Sequence, residues 1–514
     1  MFIWEQRRFK RSSPPILPLR FHLCHLCPSV LSVVPAYRAD TLSSRNRTKP
    51  TELPRVIPQI DNPMRIFVLA AALALLTSSC RPVASGPAPS PSSPVPAQTP
   101  RQTIPLTATE TQIRDAVRKR YDSSISLLQR AVDIPSGTNN LAGVRRVGDL
   151  FMAELRGIGF ETRWETLPDS LHRAGHLIAV HRGTRGPRLL LIGHLDTVFE
   201  GEGQGWVRED TIARGAGTSD MKGGDVSMIL ALRALADAGQ LKDMNITVIM
   251  TGDEESAGRP ISVSRASLLD AARQSDLALA FEGGSATRVA IGRRGSSSWR
   301  LDVTGRQAHS AGIFSTGTGY GAAYEGVRIL DEFRRAMAGE RGLTFNVGIL
   351  ASGTHVVADS SGAVVTVDGK SNIVPPVLRA TGDLRFLTES QKDSARERMR
   401  AIVSRSLSNT QATIAFSDAY PAMAVTPIGE RLLAIFDGAS RALGYPAVSY
   451  TPPEDRGAGD ISFVAPLIPG IDGLGVDGAG AHSPREMVRL ASIRMSAERA
   501  AVFMSRLMEQ WPRR

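Results

Sequence analysis

The sequence predicts an α/β protein: a mostly parallel sheet with helices on both faces, interrupted by an inserted α+β domain of split βαβ (ferredoxin-like) type. Three observations carry this. From about residue 107 to 292, short apolar runs alternate with helical patterns, as in strands joined by helical crossovers. From about 293 to 420 the order becomes strand, helix, strand, strand, helix, strand. After 420, helical periodicity returns at 428–442 and 488–511, which would complete the first domain over 421–514.

The elements follow in order. Residues 108–131 and 141–157 carry apolar side chains at helical spacing, among them Leu141, Val144, Val147, Leu150 and Leu155, with Gly157 placed to end the second helix. Strands are expected at 176–181, 189–193 and 245–250, with a helix at 222–238. In the insert, Trp299, Leu301 and Val303 alternate with polar residues, and helices near 318–338 and 389–406 separate strands near 343–351, 379–386 and 412–417. Thr388 and Gln391 form a capping-box pattern at the start of the second of these helices.

The first hundred residues read differently. Met64-Arg65 precedes the apolar run Ile66–Leu76 and the small residues Thr77-Ser78-Ser79 before Cys80, the grammar of an export signal too short to span a membrane. The cysteine after small residues resembles a bacterial lipoprotein signal over 64–80. It implies a chain exported and lipid-anchored at Cys80, facing the periplasm. Such a signal belongs at a start, so residues 1–63 are expected to be an upstream translation artefact. Residues 81–106 are rich in Pro, Ala and Ser and suit a semi-rigid tether.

Composition excludes several classes. Of 514 residues, 42% are hydrophobic and 22% charged, enough to build a core. The net charge of +11 is concentrated at the front, and with aromatics at 5% and no long basic run no nucleic-acid partner is expected. Three cysteines exclude a disulfide-built fold.

Chemistry gathers where strands are expected to end, the place where open α/β sheets bind ligands. Gly193-His194-Leu195-Asp196-Thr197-Val198 follows one apolar run, Asp220-Met221-Lys222-Gly223-Gly224 opens a helix, Asp253-Glu254-Glu255 follows a second run, and Glu282 a third. His482 comes much later, in Gly480-Ala481-His482-Ser483. Each alone is an ordinary turn or cap; together they hold the residue types of a two-metal hydrolase.

These signatures, in this order from about 110 to 510, resemble the zinc-dependent exopeptidase family of glutamate carboxypeptidase, succinyl-diaminopimelate desuccinylase, acetylornithine deacetylase and the aminoacylases. The resemblance implies two zinc ions, with cobalt or manganese as possible substitutes. His194, Asp220 and Glu282 would hold one, and Asp220, Glu255 and His482 the other. Asp196 would accept the second ring N–H of His194, and Glu254 would be the general base. The insert would be a lid and dimerisation domain, with His309 helping to stabilise the oxyanion, often across subunits of a homodimer. Asn372 and Arg385 would bind substrate, Arg385 through a carboxylate. The expected activity is cleavage of a peptide or amide bond beside a free carboxylate, of glutamate carboxypeptidase type, on a small peptide or N-acyl amino acid. N-acyl-amino-acid deacylation is the alternative, and a non-catalytic peptide-binding lipoprotein a more distant one. His172, His176, His181 and His355 lie outside the motifs and are read as structural or surface residues.

Overall fold

The computed structural model describes residues 104–201, 204–359 and 364–511. The export signal, Cys80, the leader before Met64 and most of the Pro-rich tether lie outside them.

The run predicted as one helix over 108–131 is two, α1 (Ala108–Lys119) and α2 (Tyr121–Val132). They divide at Arg120, whose backbone leaves the helical well (φ −98°, ψ 1°) and whose guanidinium pairs with Asp237. The break lets both helices pack against α4, the helix at Lys222–Asp237. A capping box between Thr107 and Glu110 starts α1. α3 (Leu141–Arg156) begins at Asn140, whose side chain accepts the Gly143 N–H, and ends at Gly157.

The main sheet contains β1 (Glu161–Glu165), β2 (His176–His181), β3 (Arg185–His194), β4 (Met244–Thr251), β5 (Leu277–Ala280) and a late strand, Gly470–Ile471. Their spatial order is β1, β2, β4, β3, β5 and the late strand. The two pairings made by β2 are antiparallel and the other three are parallel. Alternate residues of the strands bury on opposite faces. Leu189 and Leu191 join the core with α3 and α4, whereas Leu190 and Ile192 join a second core with Leu268 and Ala272 of α5 (Ala266–Arg273). Burial on both faces explains why the strands read as continuous apolar runs.

The inserted region carries β6 (Gly295–Gly305), α6 (Gly321–Met337), β7 (Ile349–Gly353), β8 (Val377–Phe386), α7 (Glu389–Val403) and β9 (Thr410–Tyr420). The strands lie in the order β7, β8, β6, β9, all antiparallel, and both helices pack on β8 and β9 around Trp299, Phe333, Leu384 and Met399. This is the split βαβ arrangement. An additional hairpin, His355–Ala358 with Val365–Asp368, had no signature in the sequence, because Val357 and Val367 are exposed and no buried face imposes alternation. At the start of α7, Thr388 accepts the Gln391 N–H, but the Gln391 side chain accepts from Leu387 (2.8 Å) rather than from Thr388. Helices α8 (Pro427–Ala442) and α9 (Leu490–Gln510) return to the main core, and the late strand Gly470–Ile471 is β10. Among the described residues no helix is long and apolar enough to cross a membrane.

Candidate active site

The site forms at the carboxyl ends of β3, β4 and β5, completed by the turn before α4 and the loop before α9. His194 is the last residue of β3 and is buried. Asp220 stands two residues before α4. The Lys-Gly-Gly that follows has a packing reason. A Cβ at Gly224 would come within 2.0 Å of the Phe281 carbonyl oxygen, so only glycine lets the start of α4 approach the chain leading to Glu282. Lys222 is buried and donates to the Ala131 and Ile134 carbonyls (3.0 and 2.9 Å), tying this turn to the end of α2.

Two clusters of ligand atoms result, each within 4.8 Å: His194, Asp220 and Glu282, and Asp220, Glu255 and His482. Asp220 belongs to both. His194 Nε2 lies 3.3 Å from one Asp220 oxygen and 3.7 Å from Glu282; His482 Nε2 lies 3.2 Å from the other Asp220 oxygen and 3.2 Å from Glu255. His482 adopts a positive φ of 59°. That region costs a non-glycine residue of order 1–3 kcal/mol, so its surroundings hold the imidazole over the site against local preference.

The electrostatics fit a pair of cations. Burial pushes Glu255 up to about 8 and Glu282 up to about 7, and burial with the neighbouring Glu282 charge raises Glu254 well above the usual carboxylate range. Burial works against ionisation of Asp220, yet hydrogen bonds from His194 and His482 hold its carboxyl below its ordinary value. The Asp220 hydrogen bond raises His482 to about 9. So many carboxylates crowded together keep protons or gather positive charge. Glu255 Oε1 is moreover buried with no hydrogen-bond partner, a lone pair free for coordination. Imidazole and carboxylate donors suit zinc, and cobalt or manganese also accept them.

Glu254 lines the same cavity of about 360 Å³ as Asp220, Glu255, Glu282 and His482. Its backbone is pinned by Asp196, although not in the manner expected. His194 Nδ1 lies 3.0 Å from the Asp196 carbonyl oxygen and 3.5 Å from its carboxylate, so the carbonyl is the nearer acceptor. The Asp196 carboxylate instead accepts the backbone N–H groups of Glu254 (3.0 Å) and Glu255 (3.2 Å) and the Thr138 hydroxyl (2.6 Å). Asp196 therefore joins the β3 end to the β4 end.

Two further supports were not anticipated, and a third, His176, was expected to be structural. The buried Glu486 accepts the backbone N–H groups of Gly217, Ser219 and Asp220 at 2.7–2.9 Å, folding the turn that presents Asp220. Its place four residues after His482 was the one available hint. Buried Arg265 bridges Asp253 (2.5 Å) and Asp460 (2.8 Å), and Thr251 donates to Asp460 (2.6 Å), fixing the turn under Glu254 and Glu255. His176 belongs to this structural layer: its Nδ1 accepts the Gly252 N–H and its Nε2 lies 2.8 Å from the Ser264 carbonyl. Arg456 and Arg293 stand in the cavity wall.

The expected lid residues lie elsewhere. His309 and Asn372 are exposed and come together on a short strand pair, where His309 faces Ile373 in register and Ser310 donates to the Asn372 carbonyl (2.9 Å). Arg385 is half-exposed on β8 and bonds Asp383 at 2.9 Å. None of the three lines the cavity that holds the ligand clusters.

Comparison with known proteins agrees with this architecture. Residues 190–506 match the model of peptidase family M20/M25/M40. Carboxypeptidase G2 of Pseudomonas sp. strain RS-16 is 26% identical over 386 residues, 72% of this chain and 85% of that protein. A succinyl-diaminopimelate desuccinylase of Alkalilimnicola ehrlichii is 27% identical over 331 residues, 61% of this chain and 82% of that protein. The fold is shared with an aminopeptidase from Bacillus cereus (TM-score 0.60, 18% identity, 75% of this chain and 98% of that one). It is shared too with a dinuclear metal-binding peptidase from Bacillus subtilis (TM-score 0.55, 12% identity, 76% and 99%). The chain belongs to peptidase family M20/M25/M40 and is an enzyme that hydrolyses peptide or amide bonds.

Proposed function

We propose that the protein is a dinuclear zinc hydrolase that cleaves a peptide or amide bond beside a free carboxylate, in the manner of a glutamate carboxypeptidase. The observation that carries the reading is the pair of ligand clusters sharing Asp220 in one cavity with Glu254. His194, Asp220 and Glu282 would hold one zinc, and Asp220, Glu255 and His482 the other. Bound there, two zinc ions would supply acidity to a water and polarise the scissile carbonyl. Glu254, at the cavity wall, takes the proton of the attacking water and passes it to the leaving amine, and its raised pKa suits a group that both accepts and returns a proton. Asp196 and Glu486 act through others, holding the backbone of Glu254, Glu255 and Asp220.

The lid contributes from outside the cavity of its own chain. In this reading the exposed His309 and Asn372 serve the site of a second subunit, where His309 stabilises the oxyanion. The chain is exported, tethered by lipid at Cys80, and acts on small peptides at the periplasmic face of the membrane. N-acyl-amino-acid deacylation uses the same residues and is the second reading, favoured by the similarity to desuccinylases.

A panel of peptides with free and amidated C-termini, with N-acetyl amino acids alongside, tests this on zinc-reconstituted protein. The reading predicts turnover of free-carboxylate substrates that is lost on chelation; cleavage of N-acetyl amino acids alone would select deacylation. A protein that binds peptides without cleaving any would be the non-catalytic binding lipoprotein.

A further inference from the structure

We propose that Tyr420, the last residue of the inserted region, is a positioning residue for the general base: its hydroxyl holds the Glu254 carbonyl and so ties the orientation of the base to the insert. This rests on the hydrolase reading above, in which Glu254 moves the proton.

The end of β9 is built to aim this side chain. The strand runs in register with β6 as far as Asp418, which lies opposite Ser297; Ala419 is then extra, and Tyr420 lies opposite Ser296. One extra residue in one strand is a bulge, which bends the strand and redirects the side chain that follows. Here it hands the chain from one domain to the other. Asp418 is ion-paired to Arg396 of α7, within the insert. Tyr420 instead packs against the second core of the main sheet, its ring centroid 4.9 Å from that of Phe463. A partly buried phenol needs a hydrogen-bond partner, and this one donates to the Glu254 carbonyl at 2.9 Å, across 166 residues of chain.

That bond completes a frame. Two planar peptide groups flank the Glu254 side chain, and each is held at both ends. In the first, Arg265 donates to the Asp253 carbonyl (3.1 Å) and the Glu254 N–H donates to Asp196 (3.0 Å). In the second, Tyr420 donates to the Glu254 carbonyl and the Glu255 N–H donates to Asp196 (3.2 Å). Because a peptide group is rigid, fixing both planes fixes the direction in which the Glu254 side chain leaves the backbone. Three of the four bonds come from the catalytic domain, and Tyr420 brings the fourth from the insert. Without its hydroxyl the second plane can tilt about its own axis, and a base misplaced by about 1 Å costs about a hundredfold in rate.

The test removes the hydroxyl and keeps the ring. Full-length, zinc-loaded Tyr420→Phe protein is compared with wild type for kcat and KM on the best-cleaved member of the substrate panel, for zinc content, and for amide hydrogen exchange over residues 252–256. We expect kcat to fall about tenfold to a hundredfold with KM and zinc content unchanged, and exchange of the Glu254 and Glu255 amides to quicken. Phe463→Leu loosens the same packing without touching the bond, so it should lower stability and leave kcat of the folded protein unchanged. An unchanged kcat in Tyr420→Phe, a fall that follows loss of zinc, an equal fall in Phe463→Leu, or unchanged exchange would each overturn the assignment. If the wild-type protein cleaves nothing on the panel, the hydrolase reading falls and exchange alone decides: quicker exchange keeps Tyr420 as the tie between insert and turn, and unchanged exchange removes it.

Discussion

The catalytic cluster and the lid residues behave in opposite ways. His194, Asp220, Glu255, Glu282 and His482 are scattered along the chain yet meet in one cavity, because each sits at a strand end or turn that buried hydrogen bonds hold in place. His309, Asn372 and Arg385 belong to the same set of sequence motifs, yet are exposed or half-exposed and lie outside that cavity. A single chain therefore brings the candidate ligands together, whereas His309, Asn372 and Arg385 stand apart from them. The contrast teaches that a motif reports chemistry, but only packing reports reach.

The largest expected effect breaks the cluster at its shared member. Asp220→Ala removes a ligand from both groups, so the variant should lose bound metal from both positions and all measurable turnover, read by elemental analysis beside an activity assay. Glu254→Gln leaves the ligand set intact. It should keep its zinc and lose turnover by about 10²–10⁴-fold, the usual worth of a general base; a normal rate would remove Glu254 from the mechanism.

The next perturbation weakens the support beneath the site. Arg265→Met strands Asp253 and Asp460 in the interior, and losing one partner of a buried pair costs about 3–5 kcal/mol. Urea unfolding should show that loss, with a reduced rate in the folded fraction.

The lid half of the comparison is sharpened by mixing. His309→Ala and Glu254→Gln should each be nearly inactive alone. Mixed subunits should recover part of the rate if His309 serves the neighbouring site, since one site in a mixed dimer then has both residues. No recovery would place His309 within its own chain.

A smaller effect concerns pH. Burial raises Glu255 and Glu282 to about 8 and 7, and the Asp220 hydrogen bond raises His482 to about 9, so protons compete for these ligands as pH falls. Zinc must displace them, and affinity should rise with pH through this range, with proton release measurable in weakly buffered solution. Affinity independent of pH would mean that the ligands are already deprotonated.

Much of this was legible in the sequence for a definite reason. Strands buried on both faces write continuous apolar runs, and the residues just beyond them carry the ligands, so Leu189–Ile192 pointed directly at His194. What stayed hidden depends on contacts between distant segments. Glu486 carries no signature of its role, because its hydrogen bonds reach the distant turn before Asp220. Arg265 sits in no motif, and its value comes from what is buried beside it. Asp196 was legible as a residue of the site but not in its bond, because carbonyl and carboxylate compete for the same imidazole N–H.

The most direct test of the central claim is anomalous diffraction at the zinc edge from crystals of the zinc-loaded protein. Two peaks should appear with Asp220 between them, one ligated by His194 and Glu282, the other by Glu255 and His482. A single peak, or peaks away from these side chains, would contradict the account.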